Sequence, residues 1–318
     1  MSTPTSQAPS RNPGATLEEV LVRLGAGSPS TGEILALSDL DRAAAEAFRN
    51  AWLWFPLDRR VTLVRRMDEL LEDRIDLNFG HVLRVALDDS SAVVRQLAVT
   101  ALWEDDSNDL LDRLLNLLRN DPSPDVRAAA AEQLGRFAER AEADDLDADL
   151  GARVRTALHA VLAVGASPLI VRRRALEAVA SFASDPAVGG LIEEAFDSDE
   201  PGLRASALYA MGRSLNGRWL DLLIDELESD DGELRYEAAR ACGAIGDDRV
   251  LPALAPLTDD PDAEVRHAAI AALGRIGGRA ASHVLERLLA EASDVDTELI
   301  EAAIDEAAEG MAFGRNLG

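Results

Sequence analysis

A Val/Leu-Arg pair, followed by alanine three residues after the arginine, recurs six times in this chain, and no other feature restricts the fold as much. The pairs are Val94-Arg95, Val126-Arg127, Val171-Arg172, Leu203-Arg204, Leu234-Arg235 and Val265-Arg266, and the alanines are Ala98, Ala130, Ala175, Ala207, Ala238 and Ala269. Seven residues after each arginine stands Leu102, Leu134, Val179, Met211, Cys242 or Leu273. The next residue is small in five copies (Gly135, Ala180, Gly212, Gly243, Gly274), with Trp103 the exception. Spacings between successive arginines are 32, 45, 32, 31 and 31. Offsets of -1, +3, +4 and +7 share one face of a 3.6-residue period, so each copy predicts an amphipathic helix.

Between copies runs a second apolar stretch: 110–118, 188–196, 219–227, 250–257 and 283–289. The unit is therefore a pair of antiparallel helices, with the small alanine allowing close packing. Asp121-Pro122, Ser167-Pro168 and Asp260-Pro261 suggest helix starts in which a capping side chain precedes proline. One hairpin cannot bury its own apolar face, so neighbours must stack. The expected fold is all-α: an α-solenoid of about eight stacked helix pairs.

The run from Asp260-Pro261 through Val265-Arg266 to Gly274 resembles the HEAT repeat, in the short form found in phycobilin-lyase-type HEAT proteins. The resemblance covers residues 80–290 and weakens toward both ends. Val64-Arg65 lies 30 residues before Arg95 but has Asp68 and Asp73 at the small positions, while Ile300 with Ala303 repeats the spacing without the arginine. Such degeneracy suits end repeats, which lack one neighbour. The solenoid is thus expected over 16–318, after a Ser/Thr/Pro-rich tail over 1–15 that reads as disordered. The 45-residue interval places an acidic insertion near 141–151, between two helices. The resemblance also implies a structural role for the repeat arginines, bridging repeats through acids or carbonyls of the next turn.

Composition removes several function classes. The chain has no lysine, which excludes Schiff-base, phosphate-loop and kinase-type lysine chemistry. Its single cysteine cannot form an internal disulfide and fits a reducing compartment. No apolar run is long enough to span a bilayer, so a cytoplasmic protein without membrane contact is expected. A formal charge of -26 opposes nucleic-acid binding, and Arg172-Arg173-Arg174 has no second basic cluster beside it.

Candidate chemistry is sparse. Asp145, Asp147 and Asp149 open like a calcium loop, but Leu150 and Thr156 occupy its glycine and bidentate-acid positions, leaving a solvated acidic loop. HEAT-repeat proteins include iron-dependent deoxyhypusine hydroxylases, whose ligands are His-Glu pairs. Here His81, His159, His267 and His283 precede Val, Ala, Ala and Val, so that ligand set is missing and no metal or cofactor is expected. Cys242 holds a core position of its copy and reads as a buried residue.

The face opposite the core carries offsets +1, +5 and +9, and in the resembling architecture it lines the concave surface. It presents Arg173, Tyr209, Arg213, Tyr236, Arg240, His267 and Arg275. Both tyrosines of the chain lie on it, among arginines, and these residue types carry binding energy at interfaces. The expectation is a noncatalytic scaffold that binds a protein or acidic peptide there. The arginines can equally pair with acids such as Glu177 and Glu237 on neighbouring helices. The alternative from another class is a HEAT-type enzyme or lyase-like subunit, a metal hydroxylase or phycobilin-lyase-like factor. A further cluster, Trp52, Trp54 and Phe55, is either an exposed anchor or a cap sealing the first repeat.

Overall fold

The computed structural model describes residues 15–315, apart from 28, 164, 166 and 292–296. The tail expected over 1–15 lies, except for Ala15, outside the described residues. Two compact units divide within one helix, between Leu134 and Gly135.

The first unit holds α1 (Leu17–Ala26), α2 (Thr31–Leu35), α3 (Arg42–Trp52), α4 (Leu57–Asp73), α5 (Gly80–Ala86), α6 (Ala92–Ala101), α7 (Asn108–Asn120) and the start of α8 (Pro124–Glu142). Odd helices α1, α3 and α5 follow one another in one layer, and even helices α2, α4 and α6 in the other. The second unit continues with α9 (Ala148–Ala163), α10 (Leu169–Val179), α11 (Pro186–Phe196), α12 (Pro201–Arg213), α13 (Leu220–Glu226) and α14 (Gly232–Ile245). It ends with α15 (Leu251–Leu254), α16 (Ala263–Ile276), α17 (Gly278–Glu291) and α18 (Thr297–Arg315). Here each odd helix packs on the even helix that follows, and α10, α12, α14, α16 and α18 stack in one row. Helical hairpins stack in each unit, and eighteen α-helices lie among the described residues.

The repeat positions build the core as their period dictates. All six alanines at +3 are fully buried, and the residues at -1 and +7, Cys242 included, are at most 4% exposed. Burial pushes the Cys242 thiol up to about 12. The glycines at +8 serve a second purpose. A methyl group added at Gly212 would lie 2.6 Å from the Ala241 Cα, and one at Gly243 would lie 2.7 Å from the Ala272 Cα. Adjacent even helices therefore meet backbone to backbone along a glycine-on-alanine seam.

Two local expectations are corrected. Asp121 and Asp260 do not cap helices at a following proline: α8 starts at Pro124, and α16 starts at Ala263 with Asp262 as its cap. Pro168 itself occupies the cap position of α10, without a side-chain bond. The cap-then-proline start occurs instead at Asp185-Pro186, where the carboxylate accepts the Ala187 N–H. The acidic stretch 141–151 is also mostly helical. Only 143–147 lie outside helices, and the extra residues lengthen α8 to 19 residues and α9 to 16. Asp147 accepts the Asp149 and Leu150 N–H groups at the start of α9, and Asp145 pairs with Arg140.

Freed from capping, Asp121 and Asp260 become nodes between repeats. Asp121 receives the Arg95 fork through Nε and Nη2, both at 2.8 Å, and its Oδ1 accepts the Ser123 N–H. Asp260 receives Arg235 in the same way at 2.8 and 2.9 Å and accepts the Asp262 N–H. The repeat arginines also bond carbonyls, but of their own preceding loop rather than the next turn. Nη1 donates six residues back, from Arg95 to Asp89, Arg127 to Asp121, Arg235 to Ser229 and Arg266 to Asp260. Buried Asp89 is a third node, accepting the Trp52 indole N–H at 2.7 Å and pairing with Arg60.

The aromatic cluster divides. Trp52 and Phe55 are buried against Phe48, with ring centroids 5.3 and 6.3 Å from it. Trp54, at the turn between α3 and α4, is 85% exposed. The cap and the exposed aromatic are therefore both present, two residues apart.

Candidate functional site

The second unit carries a polar and aromatic network across the even helices α10, α12 and α14. Helical spacing places Arg173 and Glu177 one turn apart on α10, and Ser206, Tyr209 and Arg213 down one side of α12. Glu233, Tyr236, Glu237 and Arg240 do the same on α14. Arg173 donates through Nε to the Ser206 hydroxyl at 3.0 Å and through Nη2 to Glu233 at 2.9 Å. Ser206 donates to Glu177 at 2.7 Å, and Arg174 donates to the other Glu177 oxygen at 2.6 Å. One bonded chain thus crosses three repeats.

At its α14 end the guanidinium of Arg240 lies over both tyrosine rings, 5.6 Å from the Tyr209 ring centroid and 5.4 Å from that of Tyr236. Its bonds to Glu237 are long, 3.4 Å to each oxygen. Burial lifts the Glu237 carboxyl above its ordinary range; Arg240 and Arg173 oppose this, while Glu177 and Glu233 add to it. Arg213 bonds the Ser181 hydroxyl at 3.3 Å, pairs with Glu139 of α8, and is lowered by burial.

Of the seven residues expected on this face, Arg173, Tyr209, Tyr236 and Arg240 come together on the three helices. Arg213 lies farther along α12, while His267 and Arg275 are exposed on α16. Sequence reasoning passed over Ser206 and Glu233. The signal for Ser206 was present at offset +2, where Arg174, Ser206 and Glu237 are polar in three successive copies. That offset borders the core and was not counted with the solvent face.

The first unit has two clefts, of about 420 and 560 Å³, that share His81 and Arg84. Arg84 is held by Asp105 and Ser107, and Arg113 by Asp88. Among the described residues no three His, Cys, Asp or Glu side chains gather closely enough to hold a metal ion, and no helix is long and apolar enough to cross a membrane.

Repeated hairpins joined by backbone-close seams and arginine–aspartate nodes define a helical-repeat protein. The chain belongs to the HEAT-repeat family: HEAT repeats are matched over residues 81–163 and 220–305, more than half its length. No curated protein matches the sequence. Among solved structures it is similar to the complex of CpcE and CpcF of phycocyanin lyase from Nostoc sp. PCC7120, with 20% identity over 96% of this chain and 100% of that one, at a TM-score of 0.44. Human deoxyhypusine hydroxylase is 20% identical over 84% and 96% of the two chains, with a TM-score of 0.36. Importin beta is 16% identical over 91% of this chain and 43% of its own, with a TM-score of 0.49. Likeness at this level assigns no activity.

Proposed function

We propose that the protein is a noncatalytic scaffold, working in the cytoplasm, that binds a partner protein across the even-helix face of α10, α12 and α14. One observation carries this reading: the chain's two tyrosines flank a half-exposed arginine on adjacent repeats of that face. Tyrosine buries large area at low entropic cost and arginine supplies a planar fork of donors, and a scaffold needs them on a rigid element. The chain's one thiol, Cys242, is buried in the core, which favours a noncatalytic reading and suits a reducing compartment. An acidic peptide, the partner suggested by the arginines alone, would have to displace Glu233, Glu139 and Glu237 from Arg173, Arg213 and Arg240.

The test is affinity capture from the cells that produce the protein, comparing the native chain with Tyr209→Ala/Tyr236→Ala. Both tyrosines are only partly buried, so the variant should retain its helical circular dichroism. The stoichiometric partner should fall by about tenfold or more, as expected when two interface anchors are truncated. Undiminished capture by a folded variant rejects this face as the interface.

A further inference from the structure

We infer that the Tyr209–Tyr236 pair, with Glu237 beneath it, is a receptor for an arginine side chain of the partner, and that Arg240 is an in-chain occupant which the partner's arginine displaces. This rests on the proposed protein-binding face and names the chemistry of its partner.

The geometry distinguishes Arg240 from the other arginines of the network. Arg173 and Arg174 reach their carboxylates at 2.9 and 2.6 Å, and Arg173 has a second anchor on Ser206. Arg240 meets Glu237 only at 3.4 Å, from a single nitrogen, and its side chain is 41% exposed. Glu237 is the reverse: its side chain is 17% exposed, yet among the described residues its oxygens accept no shorter bond. A carboxylate so far withdrawn from water normally holds short, charge-assisted bonds. The helix explains the mismatch, because Arg240 lies three residues beyond Glu237 and must fold back along its own helix to reach it.

An incoming guanidinium has no such tether. It can enter between the rings, stack on both faces and present its fork squarely to Glu237. The other charged groups facing Glu237 are Arg173, Glu177 and Glu233. Arg173 is committed to Glu233, and Glu177 and Glu233 both add to the cost of the Glu237 charge. Their repulsion and the burial of Glu237 are costs that a well-placed cation relieves. At long range the net charge of -26 steers cationic partners inward and acidic ones away.

The experiment uses the full chain and two labelled peptides in a Gly/Ser background, one with two arginines and one with two glutamates in their place. Fluorescence anisotropy compares the native chain, Arg240→Ala, Arg240→Gln and Arg240→Ala/Glu237→Gln, each checked for helicity. Removing the internal competitor should tighten the arginine peptide by about fivefold or more in both single variants. Removing the carboxylate as well should weaken it by about tenfold relative to Arg240→Ala. An arginine peptide bound no better by either single variant overturns the inference, as does preference for the glutamate peptide. Should those results appear while Tyr209→Ala/Tyr236→Ala still loses the native partner, the face remains the interface and only the arginine receptor falls. If neither the tightening nor the loss of the native partner is seen, both readings are rejected.

Discussion

Gly243→Leu should leave the second unit unable to hold α14 against α16, and even Gly243→Ala should lower its stability by about 1–3 kcal/mol through overpacking. The reason is positional. A Cβ at 243 would lie 2.7 Å from both the Cα and the Cβ of Ala272, and backbone cannot move aside as a flexible side chain can. The same close approach recurs one repeat earlier, where Gly212 meets Ala241, and one later, where Gly274 faces Ala303 at 3.0 Å. Relieving one clash by separating the helices therefore disturbs the neighbouring seams. Thermal unfolding followed by circular dichroism reads the effect, at about 2–4 °C per kcal/mol for a unit of this size. Adding Ala272→Gly to Gly243→Ala should recover part of the loss, because it removes the side-chain methyl that the new one strikes and leaves only the clash with backbone. Unchanged melting of Gly243→Leu would mean that the helices do not meet this closely.

Asp121→Ala should cost about 3–5 kcal/mol in the first unit, the range for breaking a buried ion pair by removing one partner. Asp121 is 4% exposed and Arg95 11%, so the truncation leaves a guanidinium with little access to water and only the Asp89 and Ser90 carbonyls as acceptors. It also removes the acceptor for the Ser123 N–H. Asp145→Ala, which deletes an exposed pair with Arg140, should stay within about 1 kcal/mol and serves as the control. The same nodes set an acid limit. Burial alone would raise Asp121, but the Arg95 bonds, the Ser123 N–H and the Arg127 charge together hold it below the ordinary aspartate value. At Asp260 the Arg235 bonds do so directly. Depressed folded-state values give stability that is fully present above the unfolded value of about 3.9 and is lost as pH falls through the lower folded one. Melting temperature should therefore drop below about pH 4, and less steeply in Asp121→Ala, which has one node fewer to protonate. An Asp121→Ala chain as stable as the native one would contradict the node.

The periodic part of this architecture was legible because burial repeats at fixed offsets. Val94, Ala98 and Leu102, and their counterparts in five later copies, occupy the core positions that their spacing dictates. What the sequence concealed is pairwise. Gly212 and Gly243 are conspicuous, but Ala241 and Ala272, which they touch, look like ordinary helix residues. Asp121 and Asp260 precede proline and invite a capping role, yet the helix starts later because the preceding repeat's arginine holds the carboxylate. The insertion was misread because its acids resemble a loop, whereas helix α9 tolerates Asp149 in its first turn, where the dipole favours it. In the site, Tyr209, Tyr236 and Arg240 followed from the solvent-face offsets. Ser206 at the border with the core, and the loose fit of Arg240 on Glu237, depend on side-chain distances that no spacing encodes.

The central claim, that the even-helix face of the second unit receives the partner, is tested most directly by site-specific photocrosslinking. A photoreactive residue in place of Tyr236 on α14 samples this face, and one in place of exposed Asp221 on α13 samples the opposite layer. An adduct with the partner from position 236 and none from position 221 is the expected result. An adduct from position 221 alone would contradict it.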